Sequence, residues 1–350
     1  MNALSENWLA DALEEPVPDI SIVVPLYNES EVITLLHERL TAVMSGLAMT
    51  YELVLVDDGS RDGTVEKMHR LSLEDPAVTA VFLSRNFGKE SALTAGLEHA
   101  SGSAIIVIDA DLQDPPELIP DMIQAWQNGA DVVCMRRRSR EGESWFKRYS
   151  ASRFYRLLNA ISDVEIPPDT GDFRLMSRRA VDALARLNER NRYMKGLFAW
   201  IGMPTVVIEY DRHPRAAGVT KWDYLSLFGL AFQGITSFSI APLRIAMGTG
   251  LLTACFGVLY TLWVVVKALV LGDPVQGFPS IISMMTILGG VQLLSIGLLG
   301  EYVGKTYYEA KQRPVYLVRD VLRGGRRTVR ASQPRAVVRR ILKDEVVCKA

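Results

Sequence analysis

Two long stretches without a charged side chain constrain this chain more than any other feature. Residues 245–266 (IAMGTGLLTACFGVLYTLWVVV) and 275–300 (VQGFPSIISMMTILGGVQLLSIGLLG) each supply the ~20 apolar residues that a helix needs to cross a hydrocarbon core about 30 Å thick. In a soluble domain such runs would have to be buried core helices, and two in succession are rare. The reading is therefore a pair of transmembrane helices within residues 242–304. Their turn lies in KALVLGDPVQGFPS, where Gly, Pro and Asp favour chain reversal. Lys267 is the one basic residue on the turn side and can snorkel from the helix end. Arg244, Lys305, Lys311 and Arg313 flank the other side, so the positive-inside rule places the N-terminal domain and the C-terminus in the cytoplasm. Residues 1–19 are acidic and lack an apolar centre; they read as an N-terminal extension, not as a signal peptide.

Charge adds a second division. The formal net charge of −1 gives no reason to expect a nucleic-acid partner, yet residues 311–350 hold twelve Lys/Arg against three Asp/Glu. Residues 305–350 are accordingly expected to form a basic cytoplasmic segment drawn to anionic lipid. The three cysteines (Cys134, Cys255 and Cys348) are far apart and lack metal-ligand spacing, which fits a reducing compartment.

Residues 20–220 read as one α/β domain. ISIVVPLY, YELVLVDDGS, VTAVFLS and SAIIVIDA are strand-like apolar runs, and helical patterns separate them. This alternation implies a mostly parallel sheet covered on both faces. Ligands of such sheets bind beyond the carboxyl ends of the strands. The polar motifs PLYNE, DDGSRDGT, RNFGKE and DADLQD stand at those four ends, so they converge on one rim.

Asp109 and Asp111 are two residues apart, so in an extended backbone their carboxylates share a face, and Gln113 continues the spacing. Two carboxylates and an amide oxygen are hard ligands suited to Mg²⁺ or Mn²⁺. A metal there neutralises a diphosphate and assists its departure. Asp57 and Asp58 end the second strand. Either they accept from a base or a ribose, or they cap the next helix as Asp62-Gly63-Thr64 does. Asn28 and Glu29 face the same choice.

In combination, PLYNE, VDDGSRDGT, NFGKESALTAGL, DADLQDPPE, TGDFRLMSRRAV and EYVGKTYYEAKQRPVY resemble the family 2 polyprenyl-phosphate glycosyltransferases of GT-A fold. That group includes dolichol-phosphate mannose synthases and bactoprenol-phosphate glucosyltransferases. The hairpin and the motif after it resemble the bactoprenol branch most. The resemblance implies a multi-pass enzyme of the bacterial inner membrane. It would transfer a hexose, with UDP-glucose the leading donor, to undecaprenyl or another polyprenyl phosphate with inversion. The product would serve cell-envelope glycan modification. GlcNAc, another UDP-sugar and mannose from GDP-mannose are the alternatives, and relatives point to a homotetramer.

By position, the resemblance assigns Pro25, Tyr27, Glu29, Asp57 and Asp58 to the nucleotide-sugar pocket, with Lys89 near the diphosphate. Asp109, Asp111 and Gln113 match the metal ligands, Asp109 also lying near the ribose. Arg137, Arg174 and Ser177 match groups that meet the acceptor phosphate. Met135 and Arg136 stand where the family has small or apolar residues, so the sequence leaves open which of Arg136 and Arg137 points inward. Asp172 stands where related soluble transferases place a catalytic base. A lipid phosphate with a second pKa of about 6 needs orientation more than deprotonation, so Asp172 is expected to position acceptor or sugar.

Residues 143–161 mix aromatic with basic side chains, and in 221–241 Trp222, Leu225, Phe228, Phe232, Ile235 and Phe238 follow helical spacing, which reads as a juxtamembrane amphipathic helix. Two rivals remain. A processive polysaccharide synthase would need more membrane helices and a Q-x-x-R-W tract, which this sequence lacks. A non-enzymatic scaffold that senses nucleotide-sugar would not need the paired acidic and basic groups.

Overall fold

The computed structural model describes residues 17–138, 170–187, 189–190, 192–211, 236, 239, 241–271, 278–324 and 326–329. These fall into two compact units, the sheet unit and the hairpin unit. The segment 143–161 and nearly all of 221–241 lie outside the described residues.

The sheet unit is built on four apolar strands: β1 (Ile20–Leu26), β2 (Tyr51–Asp57), β3 (Val78–Leu83) and β4 (Ala104–Val107). Each is buried on both faces, which is why their sequences run apolar without alternation. They pair in parallel in the order β3-β2-β1-β4, with Leu26 opposite Asp57 and Asp57 opposite Phe82, so the carboxyl ends are level. The crossovers are α1 (Ile33–Ser45), α2 (Thr64–Glu74) and α3 (Lys89–His99). Helix α3 packs so closely on the sheet that a Cβ at Gly96 would stand 2.2 Å from Val23 Cγ1.

Outward from this centre the sheet is mixed. After a 3₁₀ turn, α4 (Ile119–Gln127) leads to β5 (Val132–Arg137). Next come β6 (Thr170–Ser177), α5 (Arg178–Leu184), α6 (Met194–Trp200) and β7 (Thr205–Tyr210). Strand β6 runs antiparallel between β4 and β5, and β7 lies parallel to β5 at the edge. The expected parallel α/β centre is present, and the antiparallel β6 brings its own residues to the strand ends of β4.

The opposite edge is made by the chain beyond the hairpin. Strand β8 (Val318–Arg323) pairs antiparallel with β3, and β9 (Arg326–Val329) pairs with β8. Part of the segment read as a basic tail therefore forms two strands of this sheet. Buried Glu52 ties this return strand to the core: Ser21 and Ser101 donate to its Oε1, and Arg323 Nη2 donates to Oε2 at 3.2 Å. Tyr316 donates to Glu98 Oε2 at 2.5 Å, fastening the same stretch to α3.

In the hairpin unit, α7 (Ala241–Leu271) and α8 (Phe278–Ala310) are both long and apolar enough to cross a membrane. Their apolar side chains face outward, Leu252 being 72% exposed and Leu293 71%. A core helix of a soluble domain would bury these groups at about 1.5–3 kcal/mol each, so the exposed surface calls for lipid. Near the base of α8, Tyr302 donates to Ser239 O at 2.6 Å and Lys305 to Thr236 Oγ1.

Candidate active site

The loops after β1, β2 and β3 are stitched together by backbone donors. Asn28, at φ 55°, donates its N–H to Ser60 Oγ and accepts from Arg61 N–H. Glu29 N–H donates to Thr64 Oγ1, and Ser30 N–H to Asp62 Oδ2. Asp57 is fully buried and accepts from Gly59 and Ser60 N–H. Asp58, 3% exposed, accepts from Phe87 N–H at 2.7 Å and Gly88 N–H at 2.9 Å; burial raises its pKa against the pull of those bonds. Gly59, at φ 74°, lets this turn approach the next loop, since a Cβ there would lie 2.6 Å from Asn86 N. Asp57 and Asp58 thus hold turns, whichever ligand the rim takes, and Asp62 Oδ1 accepts from Thr64 N–H at the start of α2. Pro25 is partly buried and Tyr27 is 41% exposed on the same rim.

The acidic turn after β4 departs from the extended geometry expected. Strand β4 stops at Val107, and Leu112 takes φ 55° while Asp111 Oδ1 accepts from Gln113 N–H. A turn, not a period-two strand, therefore presents Asp109, Asp111 and Gln113. A buried leucine in the left-handed region costs backbone strain of order 1–3 kcal/mol, a cost concentrated at functional sites.

Lys89 opens α3, and its ammonium bridges two carboxylates: Asp172 Oδ2 at 2.5 Å, and Asp109 Oδ1 at 2.7 Å and Oδ2 at 2.9 Å. Only the Oδ2 contact of Asp109 has hydrogen-bond angles, which leaves buried Oδ1 without a hydrogen-bond partner among the described residues. Desolvation lowers the Lys89 pKa, but the two carboxylates outweigh it and hold the ammonium well above its usual range. Burial likewise raises Asp172, and Lys89, Lys195 and Arg174 outweigh that to hold its carboxyl well below the usual range. So low a carboxylate is a weak base. Its neighbour Glu90 behaves oppositely. Burial, then the charge of Asp172, pushes it up to about 7, while Met194 N–H donates to its Oε2.

Arg174 is 3% exposed on β6, opposite Val107 of β4 and Cys134 of β5. Its Nη2 donates to Gly171 O at 2.8 Å, and its guanidinium lies 3.9 Å from the Phe198 ring centroid. Between Arg136 and Arg137 the structure chooses plainly. Arg136 points out and pairs with Glu209, whereas Arg137 turns in toward Asp114, Tyr210 and Asp109. Arg137 Nε and Arg174 Nε are both buried with no hydrogen-bond partner among the described residues. Two guanidiniums, that of buried Arg174 and that of half-buried Arg137, each with a buried Nε–H lacking a partner among the described residues, stand beside an oxygen-rich turn and are suited to bind anions bidentately.

Ser177 is not brought to this cluster. It pairs with Ala104 at the opposite end of β4, donates to Asp131 Oδ1 and caps α5 by accepting from Ala180 N–H. Strand alternation also puts it on the other face from Asp172 and Arg174. Conversely, Glu90, Lys195, Asp114 and Tyr210 join the cluster without having stood out in the sequence. The one available signal was the third acid of DADLQD.

The residues fit a hard divalent cation. Their donors are all oxygen, and buried Asp109 Oδ1 already faces a cation, the Lys89 ammonium at 2.7 Å, without a hydrogen bond of good angle. No cluster of three His, Cys, Asp or Glu side chains is arranged around one point among the described residues, so the amide of Gln113 would complete the set.

Two family models match the sequence: Glycosyl transferase family 2 over residues 21–185, and GtrB C-terminal hairpin over residues 241–306. The chain is 46% identical over 305 residues to the SfII prophage-derived bactoprenol glucosyl transferase of Shigella flexneri, covering 87% of this chain and 99% of that protein. It is 45% identical over 303 residues to an uncharacterized glycosyltransferase of Synechocystis, covering 87% and 95%. To a prophage bactoprenol glucosyl transferase homolog of Escherichia coli it is 44% identical over 302 residues, covering 86% and 99%.

Proposed function

We infer the reaction from this kinship and the site together: the chain belongs to glycosyl transferase family 2, in the branch that carries a GtrB C-terminal hairpin. The reaction is inverting transfer of glucose from UDP-glucose to a polyprenyl phosphate such as undecaprenyl phosphate. The observation that carries it is the pair of guanidiniums beside the acidic turn, on buried Arg174 and half-buried Arg137, whose buried Nε–H donors have no partner among the described residues. One phosphate-bearing substrate engages the turn, and a second engages the arginines.

In this reading the rim formed by Pro25, Tyr27, Glu29 and the loops that Asp57 and Asp58 hold receives the nucleotide. Asp109, Asp111 and Gln113 would hold Mg²⁺ or Mn²⁺, which when bound supplies Lewis-acid stabilisation of the departing diphosphate. Lys89, displaced from Asp109, adds its charge to the same diphosphate. Arg137 and Arg174 orient the lipid phosphate so that its oxygen faces the anomeric carbon opposite the leaving group. That oxygen is already anionic, so no strong base is required. Asp172 keeps Lys89 and Arg174 in place electrostatically and removes no proton.

The hairpin keeps the lipid acceptor in reach. Two successive helices that are each long and apolar enough to cross a membrane support a hairpin that enters and leaves on one side. With the basic flanks, this supports a cytoplasmic catalytic domain.

The test offers purified protein a panel of UDP-glucose, UDP-GlcNAc and GDP-mannose with undecaprenyl phosphate and Mn²⁺, and identifies the lipid by mass. A hexosyl phospholipid from UDP-glucose alone is expected. A different donor would replace glucose and leave the acceptor reading intact; the absence of any glycolipid would defeat the enzyme reading.

A further inference from the structure

The turn from Asp109 to Asp114 carries three carboxylates, and neither the metal nor the nucleotide accounts for the third. Asp114 is fully buried, and its Oδ1 accepts the hydroxyl of Tyr210, itself 4% exposed. Tyr210 closes β7 in register with Arg137 at the end of β5, and Arg138 N–H donates to Tyr210 O at 2.9 Å. Arg137 and Tyr210 are cross-strand partners at the ends of β5 and β7, so their side chains share a face, and the Tyr210 hydroxyl and Asp114 carboxylate both favour the charged guanidinium. Opposite, a Cβ on Gly171 would stand 3.3 Å from Arg137 Nη2, so the glycine leaves room for the guanidinium.

A buried carboxylate is costly unless paired, and apolar side chains of similar volume would often stabilise the fold as well or better. Arg137 also keeps an unmet buried Nε–H. The group is thus arranged to hold one cation in place while part of its donor set stays available.

We propose that Asp114 and Tyr210 are positioning residues for Arg137. By accepting the phenol hydrogen, Asp114 turns the hydroxyl lone pairs toward the guanidinium, and the two together preset Arg137 for the lipid phosphate. Because Asp114 directly follows Gln113, a single turn sets both the metal ligands and the acceptor arginine. The proposal rests on the reading of Arg137 as the acceptor-phosphate group.

The experiment titrates full-length protein in detergent micelles with farnesyl phosphate. The proteins are the parent, Tyr210→Phe, Asp114→Asn, Arg137→Ala and the Tyr210→Phe/Arg137→Ala double variant. Mn²⁺ affinity and the thermal midpoint are followed in parallel. Loss of one hydrogen bond to a charged group predicts that Tyr210→Phe weakens farnesyl phosphate about tenfold, with Mn²⁺ affinity within about twofold of the parent. In the Arg137→Ala background the same change should cost less than about twofold, because the group it serves is gone. Equal losses in both backgrounds, or an unchanged Kd in Tyr210→Phe, would overturn the proposal. Should Asp114→Asn fail to fold, Tyr210→Phe still decides it. If Arg137→Ala binds farnesyl phosphate as the parent does, the acceptor reading itself falls, and the positioning proposal with it.

Discussion

The two halves of the strand-end rim use the same residue type in opposite ways. After β2, Asp57 and Asp58 direct their carboxylates at backbone N–H groups of their own and neighbouring loops. After β4 and on β6, Asp109 and Asp172 direct theirs at the ammonium of a lysine. The first arrangement fixes loop shape and cannot be exchanged without moving the backbone. The second is an ion pair that another cation can replace. An acidic residue at a strand end is therefore scaffold or reagent according to its partner.

The strongest way to break this comparison is to exchange the outcomes of two substitutions. Asp111→Ala should reduce turnover by at least about a thousandfold, as expected for losing a metal ligand that stabilises a leaving group, while the thermal midpoint holds. Asp58→Ala should do the reverse, costing about 2–4 kcal/mol in denaturant unfolding because two backbone donors lose their acceptor. If Asp58→Ala kept full stability and lost only nucleotide affinity, Asp58 would belong with the reagents. A smaller effect is expected at Asp172. Asp172→Asn should lower kcat by about tenfold to a hundredfold through loosened Lys89 and Arg174, with no change in the pH dependence of kcat. A lost acid-side inflection in that profile would restore a base role.

The last effect, on stability and not on turnover, belongs to Glu90. Its folded carboxyl keeps its proton to about pH 7, whereas the unfolded one releases it near 4.5. Between those values the native state binds the extra proton, so stability falls as pH rises through the window and levels off above it. Glu90→Gln should flatten that slope and retain the bond from Met194 N–H. A slope unchanged by the substitution would assign it to another group.

Much of this was legible in the chain. Doubly buried strands wrote themselves as unbroken apolar runs, their polar ends marked the rim, and the two charge-free stretches marked the hairpin. Local pattern could not reveal what depends on distant partners. Val318–Arg323 is six residues with three charges (VRDVLR), and it becomes a strand only because β3 offers an edge. Arg136 and Arg137 are adjacent and alike until Glu209 claims one and Tyr210 faces the other. Ser177 matched a motif, but the antiparallel run of β6 carried it to the far end of the sheet. The left-handed turn at Leu112 gave no signal, since leucine is a poor residue for it.

The central claim is that two phosphates meet in one site, one at the acidic turn and one at Arg137 and Arg174. It is tested most directly by following UDP release from UDP-glucose with and without undecaprenyl phosphate, and with Mn²⁺ or excess chelator. Release is expected only when lipid phosphate and metal are both present. Release at the full rate without the lipid, or undiminished by the chelator, would contradict it.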